Sequence, residues 1–293
     1  ENNTSKSEKS KEKSKSESNF ANSDEITKHF TEKFGLGFEN GVDKKKNQAE
    51  AIEKLHEIQK YQAEGNTEKA EIAKKEYWQL RDSSNSSLFN QQFNVNSNTP
   101  TAKKFKKVLV EVDNALSDLT NAGFDIKSAL SNAKVSIGAS PAKRGTNGTA
   151  WQHGDKGIFS IKLRDEAELK EQKARAEKRK TDGKPRWSIS SEEENPMRAT
   201  IVHEMAHALG MQKHINSPAK LAKLLKDLQT GGKMGESSSV YDWVKHNISE
   251  YAASNIKEAD AELAAMVTAP NYKRGTLPIE LENHVDELFR KAK

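Results

Sequence analysis

Apolar residues recur at three- and four-residue intervals in several charged stretches of the chain, a period that predicts amphipathic helices. One such stretch runs from about Asp43 to Glu64, with Ile52, Leu55, Ile58 and the Gln59 to Tyr61 segment on its apolar side. Gly65, Asn66 and Thr67 punctuate it, and Thr67 is placed to cap a second helix through Ala70, Ala73, Tyr77, Trp78 and Leu80. The two are expected to form a helical hairpin. Residues Asp82 to Asn98 are rich in Ser and Asn and read as a long loop. Thr99 and Pro100 then open a helix with Phe105, Val108, Leu109, Val112, Leu116 and Leu119 on one face, and Gly123 is its natural stop.

The period then shortens. Lys134 to Gly138 and Gly157 to Leu163 are β-rich runs separated by a Gly-, Asn- and Pro-containing turn region around Ser140 to Gly148, and Arg186 to Ser190 is a third candidate strand. Between the last two lies Arg164 to Gly183, charged almost throughout and expected to be an exposed helix. Its Arg and Lys residues offer a basic face for a partner, but a solvated helix with Glu–Lys pairs is the preferred reading. From Asn195 the pattern is helical again. Asn195 and Pro196 open a segment ending at Gly210, Ser217 and Pro218 open another ending at Gly231, and further helices are expected over about Ile256 to Val267 and after Pro278. Helices, then strands, then helices indicate an α+β fold with a small mixed sheet.

Composition narrows the picture. Only 33% of the 293 residues are hydrophobic, so part of the chain contributes nothing to a core. Residues 1–22, almost all Ser, Lys, Glu and Asn, are the obvious candidate and read as a disordered tail. There is no cysteine, which excludes disulfide scaffolds, thiolate metal sites and cysteine nucleophiles. No apolar run approaches the roughly 18 residues that cross a bilayer, so no membrane span is expected. The net charge of +5 is small and the basic residues are interleaved with acidic ones, so nucleic acid is not an expected partner. The first residue is not Met and no signal-like segment follows it, so a soluble, processed piece of something longer is expected, secreted or virion-associated being the compartments that suit it.

The chemistry lies in Ile201 to Gly210, which contains His203-Glu204-Met205-Ala206-His207. On a helix His203 and His207 stand one turn apart on one face, so both neutral imidazoles can reach a single zinc ion. Glu204 is rotated to the side, where it can act as general base toward a water without ligating the metal. Two incidental His on a helix are the plain alternative. Against it, the surrounding residues are apolar, and two His with a Glu in a buried helix are costly without a metal or partners.

Catalytic zinc takes three protein ligands as a rule. A His three residues after Gly210 would give one subclass, but that position is Lys213 and His214 misses it by one. A better candidate is downstream, where Glu258 and Glu262 lie one turn apart on a helix whose Ala259, Ala261, Ala264 and Ala265 allow close packing. Glu250, Asp242 and His246 are lesser rivals, and His29, His56, His153 and His284 read as isolated, in turns or exposed.

The pairing of His-Glu-x-x-His with a later Tyr, six residues, Glu, three residues, Glu resembles the gluzincin-type zinc metallopeptidases of the anthrax lethal factor kind, over roughly Asn195 to Val267. The resemblance implies His203, His207 and Glu258 as ligands of one catalytic Zn2+, Glu204 as the catalytic carboxylate, and Tyr251 as the hydroxyl that stabilises the oxyanion or protonates the leaving group. It further implies Glu262 as a carboxylate that orients one of the His. Ala259 and Asp260 stand where that family has aromatic residues, so a more open, polar wall is expected beside the third ligand. By fold analogy the substrate would add a strand to a sheet edge, with Gly157 to Leu163 or Arg186 to Ser190 as the expected edge.

The resulting expectation is a disordered tail over 1–22, a helical segment and loop over 23–98, and a zincin-like metallopeptidase domain over 99–293, hydrolysing peptide bonds in a protein or peptide substrate. Two alternatives stand beside it. One is a cell-wall amide hydrolase, because the same site attacks any amide that fits. The other is a structural or ancillary module of a phage virion, toxin-delivery assembly or larger polyprotein.

Overall fold

The computed structural model describes residues 23–38, 44–86, 100–139, 147–153, 155–235 and 239–290. The expected tail, most of the expected loop before Pro100 and the turn at 140–146 lie outside them. In chain order the elements are α1 (Ser23–Phe34), β1 (Gly37–Phe38), α2 (Lys44–Ala63), α3 (Thr67–Ser86), α4 (Pro100–Asn121), α5 (Ile126–Asn132), β2 (Ser136–Ala139), β3 (Gly148–His153) and β4 (Lys156–Ile161). Then follow α6 (Glu166–Thr181), α7 (Ile189–Glu192), α8 (Pro196–Gly210), α9 (Ser217–Thr230), α10 (Val240–Asn247), a 3-10 turn at Ala252–Ser254, α11 (Ile256–Val267) and α12 (Ile279–Leu288). The fold is α+β, mostly helical, with one small mixed sheet. Among the described residues no helix is long and apolar enough to cross a membrane.

The sheet runs β1-β2-β4-β3, with β1 and β4 parallel to β2 and β3 antiparallel to β4. Two sequence expectations are corrected here. Arg186 to Ser190 is not a strand: Arg186 and Trp187 instead bond through their carbonyls to the amides of Glu250 and Tyr251, and Ile189 begins α7. Gly157 to Leu163 corresponds to β4, but β4 lies inside the sheet; the edges are β1 and β3, and the one beside β4 is β3, where no strand was expected. Its Gly148 and Gly157-paired Gln152 gave no β-rich run, and register with β4, from Gly148 opposite Ile161 to His153 opposite Lys156, makes it a strand. Its existence is a tertiary effect rather than a local one.

α8 lies under this sheet, with fourteen of its fifteen residues buried. A helix buried on nearly every side belongs inside a core, and α8 packs against β3 and β4 on one side and α4 and α11 on the others. Gly157 is what lets β4 settle on it. A Cβ there would stand 2.0 Å from the Ala208 carbonyl oxygen, so only glycine allows the approach. On the opposite side the small residues Ala259, Ala261, Ala264 and Ala265, all buried, bring α11 close to α8. α1 and β1 join the same core through Ile26, Phe30, Phe34 and Leu36, whereas α2 and α3 pack on each other and none of their described side chains belongs to it.

Candidate metal centre

Asn195 caps α8, its side-chain oxygen accepting the Arg198 amide at 3.2 Å, and Pro196 fills the first turn, where no amide hydrogen is needed. That start fixes the phase of the helix and turns His203 and His207 toward α11. Asn255 caps α11 in the same way, accepting from the amides of Lys257 and Glu258, and so sets the first turn from which Glu258 reaches across.

Three ligand atoms converge between the two helices. His203 Nε2, His207 Nε2 and Glu258 Oε2 lie 3.1 Å from one another in each pairing. A triangle of that side has points about 2.0–2.2 Å from all three corners, the bond length of a tetrahedral divalent ion with nitrogen and oxygen donors. The donor–metal–donor angles would be roughly 90–100°. These three residues could therefore hold a metal ion.

Proton bookkeeping gives the same result. Glu262 Oε1 lies 3.0 Å from His203 Nδ1, an ion-pair distance although off the line of a good hydrogen bond, which makes that nitrogen the protonated one. A neutral His203 would then turn the lone pair of Nε2 on both the Glu258 carboxylate and the second imidazole. Where His207 Nε2 is unprotonated as well, a cation relieves this, either a proton on His203 or a metal ion. Burial alone would push the His203 imidazole down, but Glu258 and Glu262 outweigh it and raise its pKa to about 10. Glu258, itself disfavoured by burial, is held well below the usual carboxylate range by the two His.

Glu262 is 2% exposed and fully engaged: its Oε2 accepts the Ile189 amide at 2.7 Å and the Ser249 hydroxyl at 2.8 Å. It is thus a fixed carboxylate that holds the His203 ring. Glu204 is also buried, and burial, reinforced by Glu258 and Glu262 against the opposing His, raises its pKa. The β3 backbone passes against it, so that a Cβ on Gly148 would lie 2.5 Å from Glu204 Cγ. Tyr251 lies over the His203 ring with centroids 5.9 Å apart and planes at 24°, and its outer neighbour is Trp187 at 6.0 Å. Burial and the nearby Glu258 raise the Tyr251 phenol, so it stays protonated.

The rival ligands do not join this group. Glu250 pairs with Arg179, Asp242 accepts the Ser239 hydroxyl at 2.6 Å, and His246 Nδ1 bonds the Asp242 carbonyl at 2.8 Å. His214 lines a separate cavity of about 240 Å³ with Ser217 and His284. Two expectations fail nearby. His284 is buried rather than exposed, bonded to Asp260 at 2.7 Å and Ser217 at 3.1 Å. Asp260 therefore forms no open wall beside Glu258; it and Ala259 are buried, and its carboxylate points to α9 and α12. Ser249, the Ile189 amide and Gly148 were invisible in the sequence as parts of the site, since no motif marks a residue that supports a ligand from a loop.

The chain matches no protein-family model, no curated protein and no solved structure, so the geometry and chemistry of the site carry the functional reading by themselves.

Proposed function

We propose that this protein is a zinc-dependent endopeptidase with a gluzincin-type, zincin-like site. The observation that carries the reading is the convergence of His203 Nε2, His207 Nε2 and Glu258 Oε2 with the buried Glu204 beside them. Two neutral imidazoles and one carboxylate, with a fourth position left open, are the donor set of catalytic zinc rather than of calcium or magnesium. A zinc ion held there supplies a Lewis acid for a carbonyl oxygen and makes an adjacent water acidic near neutral pH.

The protein's own groups do the rest. Glu204, whose pKa is raised by burial, takes a proton from the attacking water at its carboxylate and delivers it to the departing amine nitrogen. Tyr251 keeps its phenolic proton and donates to the carbonyl oxygen as negative charge develops there. Glu262 fixes the orientation of His203. β3 is the sheet edge next to Glu204, the other edge being β1, so its outward amides and carbonyls can pair with an extended peptide running past Glu204.

The test is metal content together with proteolysis. The purified protein should hold one zinc per chain and cleave a denatured protein such as casein in a chelator-sensitive way. Glu258→Ala should lose the metal while Glu250→Ala keeps it. A protein still metal-free after zinc reconstitution, or unchanged zinc in Glu258→Ala, removes the basis of the proposal.

A further inference from the structure

Among the described residues, Arg164 is a buried cation with no carboxylate in ion-pair contact, and Glu168 favours its charge only through space. It is 7% exposed, and its guanidinium donates to the Gln172 side-chain oxygen and, at 3.0 Å, to the Thr200 hydroxyl, both neutral groups. Its Nε has no partner among the described residues. Glu168, the nearest carboxylate in sequence, is already committed to Lys162 at 2.7 Å and to the cap of α6. Residues 140–146, Ser-Pro-Ala-Lys-Arg-Gly-Thr, contain no Asp or Glu that could serve. Buried charges in proteins are paired as a rule, because an isolated one loses its hydration without compensation.

Arg164 lines a cleft of about 810 Å³ between α6 and the segment leading into α7. The carboxylates that border this cleft are each taken by a cation: Glu171 by Arg175, Asp182 by Lys184 at 3.4 Å, and Glu168 by Lys162. Exposed Lys178 adds positive charge at the rim. No residue of the metal centre lines the cleft, but residues in contact with that centre do, or touch Arg164. Thr200, which Arg164 touches, is one turn before His203 on α8. Trp187, half exposed at the cleft wall, packs on Tyr251, which in turn lies over His203. Asn147 lines the cleft as well, immediately before the Gly148 that meets Glu204.

We infer that Arg164 and this cleft bind a carboxylate of the substrate, so that the preferred peptide carries an acidic side chain or a free C-terminus within a few residues of the cleaved bond. The word substrate rests on the peptidase reading, but binding of the carboxylate does not. The guanidinium is the residue of choice for such a role, since its planar fork matches a carboxylate.

Calorimetric binding to the full-length, chelator-treated protein tests the inference without turnover. The probes are acetylated, amidated Ala-rich hexapeptides with Glu walked through each position, their Gln counterparts, and the all-neutral peptide with a free C-terminus. At least one carboxylate-bearing peptide should bind ten or more times tighter than its neutral counterpart, and which one does so separates a side-chain from a C-terminal carboxylate. Arg164→Gln should abolish the difference, and Lys178→Glu, at an exposed position that does not threaten folding, should reduce it severalfold. Equal binding of all charged and neutral peptides by the unaltered protein overturns the inference whatever the variants do. Cleavage of casein without any carboxylate preference would refute this cleft and leave the peptidase reading standing, whereas carboxylate binding without cleavage of any peptide would do the reverse.

Discussion

Glu262 Oε1 stands 3.0 Å from His203 Nδ1, on the side of the imidazole away from the Nε2 that meets His207 and Glu258. The carboxylate is itself immobilised by the Ile189 amide and the Ser249 hydroxyl, so the ring is held from behind by α7 and by the loop before α11. Glu262→Gln keeps the size of the side chain but removes the charge that favours a ligating Nε2. Zinc affinity, measured by competition with a chromophoric chelator, should fall about 10–100-fold. An unchanged affinity would show that His203 is oriented by packing alone.

The metal-free protein should have a distinctive pH profile. His203 is raised to about 10 in the folded state, so its contribution to stability is complete below its unfolded value of about 6.5 and is lost as the pH rises through 10. Glu258 is depressed, so its contribution is present above its unfolded value of about 4.5 and is lost as the pH falls. Thermal melts in chelator should therefore give this cluster's greatest support between about pH 4.5 and 6.5, with a decline toward pH 10. Zinc requires the neutral imidazole, so the stabilisation added by saturating zinc should grow with pH over the same range. A zinc-induced shift in melting temperature that is flat from pH 6 to 9 would contradict the assignment of a proton to His203.

Glu204→Gln should separate binding from chemistry. Glu204 is adjacent to His203 but is not one of the three converging donors, so zinc content should stay at the unaltered level. Peptide hydrolysis should drop by about 10²–10⁴-fold, the usual contribution of a positioned general base. Full activity in a zinc-loaded Glu204→Gln would remove Glu204 from the mechanism.

Gly148→Ala probes the contact between the edge strand and Glu204. The new Cβ would sit 2.5 Å from Glu204 Cγ, closer than atoms approach, and the backbone of β3 is pinned by its pairing with β4. Glu204 must therefore move, and turnover should fall tenfold or more while zinc stoichiometry is retained, on the order of what a displacement near 1 Å costs a catalytic group. Loss of zinc in this variant would mean that the strand supports the His rather than the Glu.

The helices that carry His203, His207 and Glu258 were legible because each is announced by its own residues, Asn195-Pro196 at the start of α8 and a run of small and acidic residues over α11, and Ser217-Pro218 marks the start of α9 in the same way. The His203–His207 spacing and the Glu258–Glu262 spacing are local facts of a helix, and so they survive from sequence to structure. β3 did not, because its strand character comes from pairing with β4, and Thr149 and Trp151 alone do not mark a strand beside Gly148, Ala150 and Gln152. Nor did the burial of Arg164, His284 and Asp260. Charged residues in polar stretches read as solvated, and only the approach of distant elements, α8 to Arg164 and α9 with α12 to Asp260, takes them from water. α1 escaped notice for a similar reason, since Ile26, Phe30 and Phe34 gain their meaning from a core built a hundred residues later.

α11 presents Glu258 to the metal centre, Asp260 to Ser217 and His284, and Glu262 to His203, within five consecutive residues. Each residue turns a helix by about 100°, so one codon inserted or deleted in this run would rotate the downstream carboxylates away from their targets together. The segment is consequently open to changes of side chain at exposed Lys257 yet closed to any change of length, and a deletion scan across the chain should find its sharpest discontinuity here.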